Sequence, residues 1–236
     1  SIGEEGPSPM APEDPAMMRA VSGSTVPYPC DANQTAQLVA TMAGLEGISY
    51  LRTTRAATPV VYGPDEDFPV GGSRVLRSSE DDDVTIVGAG ITVVEALAAA
   101  DALASEGVSA RVLDCYSVKP IDAEGLREAA TATGAVVTVE DHWPEGGLGE
   151  AVLSALAGLD EHPAVARLAV AAMPGSGTPD ELLARAGIDR GQIAEAARRL
   201  VDLYTAWGKP AEAARWRKVM AAEEQAERKP DKAKGG

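Results

Sequence analysis

Two arginines and two threonines stand together in the motif Arg52-Thr53-Thr54-Arg55, at the end of a predicted strand over residues 48–53. In a parallel sheet, ligands bind at the edge formed by the carboxyl ends of the strands. Guanidinium groups match phosphate oxygens through paired hydrogen bonds. The motif therefore indicates a site for a sugar phosphate. The alternative is that an arginine here pairs with one of the many surface carboxylates.

A second polar group is the motif Glu140-Asp141-His142-Trp143, which follows a predicted strand and precedes a glycine-rich loop. Carboxylates beside a histidine at the carboxyl edge of a parallel strand could act as an acid/base pair. Nothing nearby in the sequence supplies a nucleophile or a metal partner. We therefore favour a structural or subunit-contact role, in which the glycines let the next helix start close to the sheet.

A third motif, Gly88-Ala89-Gly90, lies between a predicted strand and a predicted helix, where a dinucleotide fingerprint would be found. The position of its third glycine holds Val93, and Asp114 is the only acidic residue near the expected spacing. This motif is better explained as a turn that needs small residues for close strand-to-helix packing.

The elements that would position these motifs alternate in type, which predicts an α/β fold with a mainly parallel sheet. Proline, glycine and acidic residues over 56–83 indicate an extended linker with one or two short strands. We predict a first part at 1–60, a linker at 61–83, an α/β domain at 84–204 and a charged tail at 205–236. Strands are predicted at 24–29, 48–53, 84–87, 110–113, 136–139 and 166–171, and helices at 12–20, 33–44, 92–105, 123–133, 149–157, 179–185 and 190–204.

Composition limits the function classes. A formal charge of −15 argues against nucleic-acid binding, because phosphate repulsion would not be offset. Cys30 and Cys115 lack metal or redox spacing and are expected to be buried free thiols. The sequence has no run of 18 apolar residues and no secretory leader, which predicts a cytoplasmic protein without membrane contact. The tail could form a helix with Trp216, Val219 and Met220 on one stripe, followed by a disordered end.

Several segments, in order, resemble the transketolase family: SIGEEGPSPMAPEDPAMMR, GSTVPYPCDANQTA, GISYLRTTR, VTIVGAGITVVEALAAA, VLDCYSVKPID, VEDHWPEGGLGEAV and GIDRGQIAEAAR. The resemblance runs from Ser1 to about Tyr204. It implies a partial, parallel-sheet pyrimidine-binding domain followed by a complete C-terminal α/β domain with a mainly parallel sheet. The opening segment without an initiator Met suggests that the chain begins inside a domain.

The resemblance also implies roles for two residues. Glu5 and Arg55 occupy positions that contact the sugar-phosphate substrate in transketolases, with Arg55 on the terminal phosphate. The chain departs from the family pattern at Glu5, where aspartate is usual, and at Pro9, where histidine or glutamine is usual. Pro12 and Pro15 also replace leucines of the first helix, and Cys30 replaces a serine.

The implied activity is transfer of a two-carbon ketol unit between sugar phosphates of the pentose phosphate pathway, with thiamine diphosphate and Mg²⁺. The family's cofactor-activating glutamate and diphosphate-binding domain precede this segment, so no catalytic, cofactor-binding or metal-binding residue is expected within the chain. Activity would need an N-terminal transketolase half, fused or separate, and a homodimer of complete protomers. The alternatives are another thiamine-dependent relative (deoxyxylulose phosphate synthase or a 2-oxo-acid dehydrogenase β type) and a non-catalytic assembly module.

Overall fold

The structure is a computed structural model that describes residues 10–55 and 57–207, with side chains to residue 203. Its first part contains helix α1 (Asp14–Ala20), strand β1 (Val26–Pro27) and helix α2 (Ala32–Ala43). Helix α1 starts two residues later than predicted. Pro15 falls in its first turn, where the missing N–H would have had no helical partner.

The prediction of a strand over 48–53 is wrong, although this segment does lie beside β1. Tyr50 donates its backbone N–H to the carbonyl of Thr25 at 2.8 Å, and Arg52 donates to Pro27 at 3.2 Å. The pairing amounts to one isolated parallel bridge, Thr25 to Ser49. The reason is that β1 contains Pro27, which has no N–H to donate to a ladder.

The predicted linker contains one strand and a buried aromatic cluster. Strand β2 (Arg74–Arg77) pairs antiparallel with a later strand and forms one edge of the main sheet. Phe68 is fully buried, with its ring 4.8 Å from that of Tyr62 and 5.3 Å from that of Tyr116 in edge-to-face contacts. The linker is therefore packed against the domain that follows it.

The elements predicted from residue 84 onward are all present, with bounds that differ by at most three residues from those observed. One short strand, β5, was not predicted. The elements are β3 (Val84–Gly88), α3 (Ile91–Ser105), β4 (Ala110–Asp114), β5 (Ser117–Lys119), α4 (Ala123–Thr133), β6 (Ala135–Val139), α5 (Leu148–Leu156), β7 (Ala164–Leu168), α6 (Pro179–Ala186) and α7 (Arg190–Trp207).

The main sheet has the order β2-β4-β3-β6-β7, and its strands are parallel except for β2. Every residue of β3 and β6 is buried. This is the pattern of central parallel strands with helices on both faces. Helices α3 and α7 contribute to one core and α4 and α5 to the other. The mixed α/β fold class with a mostly parallel sheet is confirmed.

The first part of the chain is attached to the main domain through a second, small sheet. Strand β1 pairs antiparallel with β5, with Val26 opposite Lys119. The Tyr28 N–H donates to the carbonyl of Tyr116 at 2.8 Å. The Lys119 ammonium donates to the carbonyl of Arg19 at 2.7 Å, near the end of α1. These contacts bring residues 48–55 close to the carboxyl edge of the main sheet.

Candidate functional site

The two arginines of the 52–55 motif lie in different environments. Arg52 is buried, with 8% of its surface exposed, whereas Arg55 is exposed. The sequence motif by itself indicates a pair of arginines facing one ligand. The structure separates them into a buried anchor at Arg52 and a side chain at the surface three residues later.

Arg52 is held by groups from two segments of the chain, residues 11–14 and Asp141. Its guanidinium forms an ion pair with Asp14 and another with Asp141, the second at 3.3 Å. It also donates to the carbonyl of Ala11 at 3.0 Å and to that of Asp141 at 3.2 Å. Burial by itself would lower the pKa of Arg52, but the negative charges of Asp141 and Asp14 outweigh burial and raise this pKa above its usual value. Arg52 is therefore cationic at any pH at which the protein folds.

Tyr28 completes this buried network and links it to the glycine motif. Its hydroxyl lies 3.0 Å from both carboxylate oxygens of Asp141, and its ring lies 5.2 Å from the guanidinium carbon of Arg52. Gly90 has a φ of +60°, and a Cβ added there would lie 2.1 Å from the Tyr28 ring. The space that a dinucleotide would need at this turn is therefore filled by Tyr28, which supports the packing interpretation of the glycine motif.

A pocket of about 260 Å³ lies beside the anchored motif. Its polar lining comes from the first part of the chain and from Asp141, and its apolar lining comes from the first part and from the region of α6. The polar lining residues include Asp14, Tyr50, Arg52, Thr53, Thr54 and Asp141, and the apolar ones include Val170, Leu182, Leu183, Ala186 and Ile188. The pocket thus joins the two parts of the chain at the carboxyl edge of the sheet.

The Glu140-Asp141-His142-Trp143 motif is a contact surface within the chain. Glu140 accepts hydrogen bonds from the backbone N–H groups of Leu148 and Gly149 at the start of α5, the second at 3.1 Å. His142 accepts from the N–H of Ala16 in α1 at 3.3 Å through Nε2. The N–H of Trp143 donates to the carbonyl of Pro12 at 3.0 Å.

The acid/base interpretation of this motif conflicts with its burial. Burial raises the pKa of Glu140 to about 7 and lowers that of His142. The two side chains lie 3.7 Å apart, but Glu140 is 4% and His142 2% exposed, so a substrate could not reach either. The structural role favoured from the sequence is therefore supported, here as a contact between α1 and the main domain.

One polar cluster is not foreseen from the sequence. Asp114 at the end of β4 is fully buried and accepts hydrogen bonds from the Tyr62 hydroxyl and the Gln34 amide, both at 2.7 Å. Cys30 lies 3.9 Å from the same carboxylate oxygen. A single aspartate directly after the apolar strand run was the available signal. Its partners come from distant segments, so spacing could not reveal them.

The remaining predictions divide as follows. Cys30 and Cys115 are free and buried, as predicted. Glu5, Pro9 and the tail stripe with Trp216 lie outside the described residues. Within residues 10–55 and 57–207, no group of three or more histidine, cysteine, aspartate or glutamate side chains is arranged to hold a metal ion. Over the same ranges, no helix combines the length and the apolar character needed to cross a bilayer.

Comparison with known proteins places this fold in a family. The model of the transketolase C-terminal domain matches residues 73–193, and the model of the transketolase pyrimidine-binding domain matches residues 1–61. The chain belongs to the transketolase family.

Two mammalian relatives agree with this assignment. Human transketolase is 49% identical over 202 residues, which cover 85% of this chain and 32% of that protein. Bovine transketolase-like protein 1 is 48% identical, with coverage of 85% and 34%. The chain thus spans about a third of the length of these curated relatives.

Solved structures give the same result. A structure described as "Split gene transketolase, inactive beta4 tetramer" superposes with a TM-score of 0.75 at 40% identity, covering 81% of this chain and 61% of that one. A transketolase mutant from Pichia stipitis has a TM-score of 0.68 at 20% identity, which bears on the fold alone.

The thiamine cofactor used by complete transketolases does not fit at the glycine turn after β3 or at the carboxylates of Glu140 and Asp141. The glycine turn after β3 is filled by Tyr28, and the carboxylates at the carboxyl edge are already bound to arginine, tyrosine or backbone N–H groups.

Proposed function

We propose that this chain is the C-terminal part of a transketolase that transfers a two-carbon ketol unit between sugar phosphates, with thiamine diphosphate and Mg²⁺, when it is joined to an N-terminal half. The complete enzyme would be a cytoplasmic homodimer of the pentose phosphate pathway. Within it, residues 1–60 would complete the pyrimidine-binding domain, 61–83 the linker and 84–204 the C-terminal domain.

The observation that carries the proposal is the position of Arg55. It is exposed, and it is the last residue of a motif whose first arginine is buried and held by two carboxylates. A guanidinium on a fixed backbone can bind a phosphate at little cost in conformational freedom. We propose that Arg55 binds the terminal phosphate of the sugar and that Glu5 contacts the same substrate. The chemistry on the ketol group is left to residues of the N-terminal half.

A separate partner is supported by one of the structural neighbours. That neighbour is a split-gene transketolase whose beta4 tetramer is inactive. By analogy, we propose that the present chain binds no thiamine diphosphate by itself and becomes active with an N-terminal half. Isothermal titration of the isolated chain with thiamine diphosphate and Mg²⁺ tests this, and tight binding would overturn it.

The role of Arg55 is tested in the enzyme reconstituted with its N-terminal half. Arg55→Gln removes the positive charge that would face the phosphate, and the loss of a charge-assisted hydrogen bond should lower kcat/KM for xylulose 5-phosphate on the order of 10- to 100-fold. Arg199→Gln is the matched control, because Arg199 is an exposed arginine on α7 that pairs with Glu195. Its kcat/KM should equal that of the wild type.

Two results would contradict the proposal in different ways. If the reconstituted wild-type enzyme transfers no ketol unit, the chain is an assembly module or serves another thiamine-dependent reaction. If it transfers the unit and Arg55→Gln has the activity of Arg199→Gln, the transferase function stands and the phosphate-binding role of Arg55 is wrong.

A further inference from the structure

Arg52, the buried anchor of the 52–55 motif, makes contacts that connect the two parts of the chain. Arg52 belongs to the segment matched by the pyrimidine-binding family model, and Asp141 belongs to the segment matched by the C-terminal one. They are 89 residues apart in sequence, yet the guanidinium donates to both the side chain and the backbone carbonyl of Asp141. A residue of the C-terminal domain thus holds the motif that carries Arg55.

Asp141 is itself held by hydrogen bonds. Both of its carboxylate oxygens lie 3.0 Å from the Tyr28 hydroxyl. The next two residues also keep this loop against the first part of the chain, since the His142 ring accepts from the N–H of Ala16 and the Trp143 N–H donates to the carbonyl of Pro12. With 9% of its surface exposed, Asp141 is shielded from solvent. Its charge therefore acts on Arg52 and Tyr28 across a medium of lower polarity than water.

Because Arg52 lies three residues before Arg55, the position of its backbone influences that of Arg55. The backbone before it is aligned with β1 through hydrogen bonds from Tyr50 to Thr25 and from Arg52 to Pro27. Three residues of extended chain span at most about 10 Å. A rotation of the backbone at Arg52 is therefore transmitted to the Arg55 side chain over a short distance, and a phosphate contact is sensitive to displacements of about 1 Å.

We infer that Asp141 is a positioning residue for substrate binding: by holding Arg52 across the junction of the two parts, it orients the segment that presents Arg55 to the sugar phosphate. This inference rests on the proposed transferase function. It gives Asp141, a residue of the C-terminal domain, a part in substrate recognition that acts through Arg52.

The test compares two substrate pairs in the reconstituted enzyme. Xylulose 5-phosphate and ribose 5-phosphate both carry the phosphate, whereas hydroxypyruvate and glycolaldehyde offer the ketol donor and the aldehyde acceptor without one. In Asp141→Asn the side chain keeps its shape and an oxygen for Tyr28, and Arg52 keeps its ion pair with Asp14. We expect KM for the phosphorylated pair to rise on the order of 10-fold, with kcat and both constants for the phosphate-free pair within about 2-fold of wild type.

Two further variants complete the design. Asp101→Asn is the matched control, because it breaks an aspartate–arginine pair on the surface, where the Asp101 side chain is 78% exposed. It should behave as wild type with both substrate pairs. In the Arg55→Gln background, Asp141→Asn should add no further rise in KM, because two residues that act through one contact are not additive.

The outcomes separate this inference from the proposed function. If Asp141→Asn changes the constants for both substrate pairs equally, or for neither, the positioning role is wrong while the transferase function stands. If the wild type transfers from neither donor, the function and the inference both fall. Should Asp141→Asn fail to fold, Arg52→Lys replaces it, since lysine keeps the charge and loses the fork that contacts Asp141, and the same pattern of constants decides.

Discussion

Replacing the buried Asp114 by asparagine should change how the stability of this chain depends on pH. The carboxylate oxygen Oδ2 accepts from Tyr62 and Gln34, while Oδ1 has no hydrogen-bond partner among the described residues. Burial raises the pKa of Asp114 from its ordinary value of 3.8 to about 7, and the two hydrogen bonds offset only part of this effect. The folded state therefore binds a proton at Asp114 more tightly than the unfolded chain does.

The sign and size of the effect follow from this difference. Between about pH 4 and pH 7 the folded state holds the proton and the unfolded chain has lost it, so the free energy of unfolding falls as pH rises. At about 1.4 kcal/mol per tenfold change in proton affinity, the stability lost through ionisation of the buried Asp114 reaches on the order of 4 kcal/mol above pH 7. At pH 5 it is about 1 to 2 kcal/mol, because the unfolded carboxyl titrates only slightly below that pH.

Asp114→Asn removes the titration and keeps an oxygen for Tyr62 and Gln34, but it puts an amide where Oδ1 now lies, at a cost of about 1 to 3 kcal/mol. This cost is independent of pH. We therefore expect the stability of the variant relative to wild type to be about 3 kcal/mol more favourable at pH 8 than at pH 5. Glu140 titrates in the same window, so the comparison between the two proteins, and not the wild-type slope alone, isolates Asp114.

Urea unfolding followed by circular dichroism at pH 5, 6, 7 and 8 provides the measurement. Asp160→Asn serves as the control, because Asp160 is exposed. Its free energy of unfolding should differ from that of wild type by the same amount at every pH. If Asp114→Asn also runs parallel to wild type, burial does not control the proton affinity of Asp114, and the assigned cause is wrong.

Two packing predictions accompany this one. Gly90→Ala should destabilise the chain by about 3 kcal/mol or more in thermal unfolding, because Gly90 has a positive φ and an added Cβ would collide with the buried Tyr28 ring. Gly107 also has a positive φ but lies in open space, so Gly107→Ala should cost only about 1 to 2 kcal/mol. Equal losses of stability in the two variants would exclude the collision at Gly90. Leu103 is fully buried in α3, so Leu103→Ala should lower the free energy of unfolding by about 2 to 5 kcal/mol. Leu153 is partly exposed, so Leu153→Ala should lower it by less than half as much. Similar losses for the two variants in urea unfolding would contradict the assigned core.

Local pattern was sufficient for most of the fold. The apolar run 84–88 lies between an acidic stretch and a glycine turn, and helix 123–133 follows Asp122, whose side chain accepts from the N–H of Gly125. Such signals are contained within a few neighbouring residues, which is why these elements were predicted nearly to the residue. The failure at 48–53 has the opposite origin, because its partner strand is interrupted by Pro27 and only pairing could decide the outcome.

The same distinction between local sequence and tertiary contacts applies to the candidate site. The sequence by itself indicated the arginine motif as a candidate site and the family to which the chain belongs. Only the tertiary structure decided that Arg52 is a buried anchor and Arg55 the exposed side chain, and that Asp141 and Tyr28 hold the anchor. Residue types set which interactions are available. Arg52 is the arginine that is buried, because the fold brings the carboxylates of Asp14 and Asp141 next to it. The local sequence around residue 52 does not show that these carboxylates are close in space.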